Sequence, residues 1–142
     1  MAANSYNQKT IDEFHAKNGR GIGPFGDHLL LMTAKGVKSG ASITTPLVFH
    51  REGDDYVVAG SKGGAPDNPR WVANLRANPE VEVELADDDR TETFKARARI
   101  IDSGPERDRL YAGHAKVWPP FLDYEKRTER TIPVIVLERL RS

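Results

Sequence analysis

The sequence predicts a mainly β single domain, an antiparallel barrel decorated with helices. Three observations carry this. Val81, Val83 and Leu85, then Phe94, Ala96, Ala98 and Ile100, alternate with charged residues, the period of half-exposed strands. Turn chemistry punctuates such runs at Glu52-Gly53-Asp54-Asp55 and Asp87-Asp88-Asp89. Strand patterns do not alternate regularly with helical ones, which disfavours a doubly wound parallel sheet.

Taken in order, Ile11 and Phe14 share one side of a short N-terminal helix. Gly19 to Gly26 holds four glycines in eight residues and reads as a loop. Leu29 to Thr33 is a buried strand. Gly36-Val37-Lys38-Ser39-Gly40 interrupts it, and Ile43 to Arg51 resumes as one strand, with Pro46 marking an edge or bulge. Tyr56 to Ala59 returns as the partner of a hairpin. Pro69 opens a helix that turns Trp71 and Leu75 inward and ends near Asn78-Pro79. The strands at 80–86 and 91–101 follow, their acidic and basic faces matched for pairing. Pro105 opens a second helix, Phe121 to Arg130 is a short helix or loop, and Ile132 to Glu138 is a last strand. The tally is about six strands and two to four helices.

The chain of 142 residues fits one domain, 1–142, in which 1–27 form the N-terminal helix and glycine-rich loop. Lys plus Arg and Asp plus Glu both number 21, a balance that argues against nucleic-acid binding. There is no cysteine, which excludes thiol catalysis and cysteine metal sites and suits a reducing cytoplasm. No apolar run approaches ~18 residues. Peripheral membrane contact is left to the N-terminal segment, whose small apolar face suits packing on the body better. Monomer and homodimer both stay open.

Familiar catalytic patterns are missing. His15, His28, His50 and His114 show no metal-ligand spacing, and neither H-E-x-x-H nor G-x-S-x-G occurs. No metal is expected. The glycine-lysine segments are better candidates. Lys38-Ser39-Gly40 lies between two strands, where backbone N–H groups, a lysine and a hydroxyl converge on an anion. Ser61-Lys62-Gly63-Gly64 repeats that chemistry, and the helix from Asn68-Pro69-Arg70-Trp71 offers its N-terminus and a flat ring surface. Together they suit a cofactor that carries a ring, a phosphate and acid groups.

Thr33 to Gly40, Thr45-Pro46-Leu47, Tyr56 to Pro66, Pro69 to Leu75 and Asn78-Pro79-Glu80-Val81 resemble the deazaflavin-dependent nitroreductase family. The likeness runs from about Phe14 to Leu137. It implies a split β-barrel related to the FMN-binding split barrels. It also implies coenzyme F420, an 8-hydroxy-5-deazaflavin with a phospholactyl-oligoglutamate tail. By resemblance, Val37, Lys38, Ser39 and the strand Thr44, Thr45, Pro46, Leu47, Val48 meet the phosphate and tail. Ala59, Gly60, Ser61, Lys62, Arg70, Trp71, Val72, Ala73 and Asn74 surround the ring, and Tyr124, followed by Thr128 and Arg130-Thr131-Ile132-Pro133 in the same segment, stands beside the substrate as the catalytic candidate. Two departures are visible: Ile43-Thr44 where the family often has arginine, with Lys35 as a substitute, and Phe121 where a second tyrosine is common. The implied activity is hydride transfer from reduced F420 to a small organic acceptor: a quinone, an activated enone or lactone, or a nitroaromatic. The alternatives are a non-catalytic deazaflavin or flavin carrier and an FMN-dependent split-barrel oxidoreductase.

Overall fold

A computed structural model describes residues 5–37 and 40–140. Seven strands form one wholly antiparallel sheet: β1 (Leu29–Lys35), β2 (Ser42–Val48), β3 (His50–Glu52), β4 (Asp55–Ala59), β5 (Glu80–Asp87), β6 (Arg90–Ile101) and β7 (Val134–Arg139). Their order is β2-β1-β5-β6-β7-β4-β3. The outermost members, β2 and β3, are consecutive in the chain and separated by Phe49 alone. The sheet therefore curls until one run of chain serves both of its ends. The single strand expected over 43–51 is thus two strands: the first pairs with β1, the second with β4. Phe49, buried at the bend, donates its N–H to the His28 carbonyl at 2.9 Å. Pro46 sits opposite Leu31 in β2, an end strand of the order, where a missing N–H is tolerated.

Alternation sorts the side chains into two layers. Leu30, Met32 and Ala34 of β1, Tyr56 and Val58 of β4, and Ile135 and Leu137 of β7 fill the barrel. Their neighbours point outward. Leu29 and Leu31 pack on Ile11 and Phe14 of α1 (Ser5–Ala16). Val57, Ala59, Val134 and Val136 pack under α3 (Pro105–Val117) and α4 (Pro120–Lys126). Strands covered on both faces read as apolar runs, which explains the unbroken Leu29–Met32 and Val134–Leu137. β5 and β6 are covered on the inner face only, so they alternate. Glu80 stands opposite Arg97 and Glu82 opposite Lys95, the charge matching expected of them. α2 (Arg70–Ala77) contributes Val72 and Leu75 to the barrel core at the end where β1 and β4 finish.

Among the described residues the count is seven strands and four α-helices. Residues 120–126 resolve the helix-or-loop question in favour of a short helix. The apolar face of α1 is used inside the fold, with Phe14 fully buried. No helix among the described residues is long and apolar enough to cross a membrane.

Candidate active site

The site lies on the outside of the barrel wall, where β2 and β4 come together beneath α4. A cavity of about 470 Å³ opens there, within the range of small-molecule sites. Thr45, Pro46, Leu47 and Val48 of β2 form one wall. Ala59, Ser61 and Lys62, leaving the end of β4, form the next, and Pro69 and Trp71 at the start of α2 close it. Phe121 and Tyr124 of α4 supply the roof, and Asn7, Phe25 and Trp118 the far side. Phe25 and Trp118 stack at 5.0 Å between ring centroids, and Phe121 and Tyr124 meet edge to face at 5.4 Å. The cavity is thus a slot of flat apolar surfaces with Lys62 at its edge, the form a planar ring with an acidic substituent requires.

Two polar devices shape it. Arg130 is half-buried and donates to the carbonyls of Gly60 (3.2 Å), Ser61 (2.9 Å) and Ala65 (2.8 Å) and to Asn68 Oδ1 (2.6 Å). One guanidinium therefore fixes both ends of the Ser61–Ala65 loop, using the planar fork that lysine lacks. Burial pulls its pKa below the usual arginine value. The second device is Asn74, buried on α2, whose Oδ1 accepts the Val37 N–H at 3.0 Å. It ties the turn after β1 to the helix beside the ring slot.

Within the loop, Lys62 and Gly64 have φ of +47° and +85°. Gly64 also faces α4 so closely that a Cβ there would meet the Tyr124 carbonyl oxygen at 2.7 Å. Gly60 is equally confined, between Val72 and Pro133. These glycines serve backbone approach, which sets the height of α4 and of Tyr124 above the loop.

The structure gathers much of the expected set but not all of it. Thr45 to Val48, Ala59, Ser61, Lys62, Trp71 and Tyr124 converge on one cavity. Thr44 faces the other way: it pairs with Thr33 through their hydroxyls at 2.8 Å on the side of α1. Val72 is core, and Gly60 is packed beneath the loop. Arg70 and Ala73 are exposed on α2 and are not among the lining residues. Asn74 acts through Val37, which is itself exposed. Lys38 and Ser39 lie outside the described residues. Lys35 is exposed at the end of β1, opposite Ser42. Phe25 and Trp118 were missed as site residues, and Arg130, expected by resemblance in the segment beside the substrate, instead holds the loop. Phe25 is hidden in a glycine-rich loop and Trp118 reads as a helix end. Arg130 acts over some 70 residues of sequence, a distance no local pattern reports.

Beside the site, α3 covers a buried histidine pair. His50 Nδ1 and His114 Nδ1 are 2.9 Å apart, so one donates and the other accepts. Both Nε2 atoms are buried without a partner among the described residues. Burial holds both pKa values down, that of His114 to about 3. The pair is neutral packing, and His114 lies against Phe121 at 4.3 Å. No group of residues suited to a metal occurs among the described residues.

The fold is a curled antiparallel barrel with a ring-sized slot between its wall and two helices. The family model for the F420H(2)-dependent quinone reductases matches residues 6–139, and the chain belongs to that family. It is 35% identical over 131 residues to the F420H(2)-dependent quinone reductase Rv1261c of Mycobacterium tuberculosis, covering 89% of this chain and 85% of the relative. Among solved structures it is similar to an F420-dependent reductase, FDR-A, with a TM-score of 0.68 and 34% identity over 78% of this chain and 94% of that one. It is also similar to a chain described as a domain-swapped dimer, with a TM-score of 0.71 and 30% identity over 94% and 96% of the two chains.

Proposed function

We propose that this chain is a reductase that passes a hydride from reduced coenzyme F420 to a quinone-type acceptor bound over the deazaflavin ring. The observation that carries this reading is the slot itself: β2, the Ser61–Ala65 loop, Trp71 and α4 converge on one cavity whose walls are flat and apolar. When bound, the cofactor supplies the hydride; the protein supplies position and a dry site.

The roles divide by element. Residues 45–48 and Trp71 support the ring and the chain that leaves it. Lys62, beside the ring slot and 3.6 Å from Asp67, offers positive charge to an acidic ring substituent. Lys38 and Ser39 hold the phosphate, and Asn74 ties Val37, their neighbour in sequence, to α2. Tyr124 reaches the acceptor from α4. A quinone that takes up a hydride needs one further proton to become a hydroquinone. The Tyr124 hydroxyl, resupplied from solvent, delivers or orients that proton.

Two measurements test the reading. Titration with F420, followed by deazaflavin fluorescence, should give saturable binding. Mixing the reduced cofactor and protein with menadione should restore deazaflavin absorbance faster than in a protein-free control. Binding without reoxidation would point to a carrier, and a purified protein yellow with FMN would point to the flavin alternative.

A further inference from the structure

The ring slot is not the roomiest hollow of the molecule. A cavity of about 670 Å³ lies at the other end of the barrel, where β1 and β4 begin and the chain bends between β2 and β3. α2 closes the far end, and α3 overhangs this one with Gly113, Lys116 and Val117. Its floor is apolar: Phe49, Tyr56 and Leu85, all buried members of the barrel core. Its rim is cationic. Arg20, Arg51 and Lys116 line it, and Asp27 is the one carboxylate in that wall among the described residues. Asp27 is already engaged, by the Gly21 N–H at 2.8 Å and by Arg20 at 3.5 Å. Arg51 lies over the Tyr56 ring at 5.0 Å, so a cation stands directly above the aromatic floor.

An independent feature marks the same place. His50 lines this cavity, is nine-tenths buried, and has no partner at Nε2 among the described residues. That nitrogen faces Gly113, where even a Cβ would stand only 3.2 Å away. A buried polar atom without a partner calls for an explanation, and here a residue with no side chain leaves it against the cavity wall.

We propose that this mouth is a second binding site, distinct from the ring slot, for an acidic small molecule with an aromatic or apolar body. The apolar floor takes the body. Arg51 and Lys116 take the acid group and raise the local concentration of anions. A cavity of this size holds a ligand of about two fused rings with a short substituent.

The test uses the full chain and two anionic aromatic probes, 1-anilinonaphthalene-8-sulfonate and 2-naphthoate, with 9-aminoacridine as a cationic control. At least one anion should bind with one equivalent per chain and should remain bound at saturating F420. Binding should weaken at least tenfold in Arg51→Glu/Lys116→Glu and by a smaller factor in Arg51→Gln/Lys116→Gln. Both changes are at exposed positions, and F420 affinity should not move in either variant. Displacement of the probe by F420, an affinity indifferent to the charge changes, or equal binding of 9-aminoacridine overturns the proposal. So does failure of both anions to bind; if the protein then sediments as a dimer, the mouth belongs to a second copy of the chain. Because the F420 titration is read separately, loss of this site and loss of the reductase reading are distinguishable.

Discussion

Arg130 shows how a single side chain can set a whole loop. Its hydrogen bonds reach Gly60, Ser61, Ala65 and Asn68, and the Ser61 carbonyl is shared with the Gly64 N–H at 2.9 Å. Arg130→Ala should weaken F420 binding at least tenfold, since one bond from a charged donor contributes about 1.5–3 kcal/mol. Arg130→Lys should recover only part of this, because the fork geometry is lost. Fluorescence titration beside a thermal melt separates loop order from global stability; equal affinity in all three proteins would refute the role. Asn74→Ala should act more mildly, on the order of 1 kcal/mol for one neutral hydrogen bond, read as roughly fivefold weaker cofactor binding with turnover at saturation preserved. At this scale the sequence was informative about residues that touch the slot. Trp71, Lys62 and residues 45–48 sit in local patterns that announce their chemistry. It named Asn74 and the segment of Arg130 but not what they hold, because Arg130 and its loop are joined only by folding.

Among the elements, α4 and the Ser61–Ala65 loop are fitted to one another through Gly64. Gly64→Ala imposes a side chain at φ +85° and drives a Cβ toward the Tyr124 carbonyl. It should cost about 1–3 kcal/mol of stability and shift α4, so that menadione turnover falls more than F420 affinity. The helix α3 carries a pH dependence through His50 and His114. Both titrate lower in the folded state than in the unfolded chain, so the unfolded chain takes up protons first. Their contribution is full above the ordinary histidine value of 6.5 and is lost as pH falls from there toward about 3. Urea unfolding from pH 7.5 to 4.5 should show stability level down to the ordinary value of 6.5 and falling below it, His114 contributing up to about 1.4 kcal/mol per pH unit and His50 adding in the same direction. The double variant His50→Leu/His114→Leu should flatten that slope, and an unchanged slope would show that other groups carry it. Element boundaries were mostly legible from period and turn residues. The exception is instructive. Residues 43–51 have the composition of one strand, and only the two partners that compete for it break it at Phe49.

For the whole molecule, barrel closure rests on that bend. Phe49 is buried in the core at the point where the sheet's two ends meet. Phe49→Ala should cost about 3–5 kcal/mol, and chemical denaturation should show a lower midpoint with a single transition if the barrel is one cooperative unit. The antiparallel, helix-decorated character was legible from alternation and turns. The strand order was not, because β7 and β4 pair across some 80 residues that carry no local mark of it.

That order has a consequence for how the chain is made. The last strand in sequence, β7, lies between β6 and β4. Until residues 134–139 have left the ribosome, β4 and β6 each present an unpaired edge, and the wall that holds the slot has a gap. Synthesis therefore passes through a long interval in which six strands exist but the barrel cannot close. Exposed edges in such an interval invite pairing with another chain. A second nascent copy, offering its own 134–139 segment, is the partner best shaped to fill the gap.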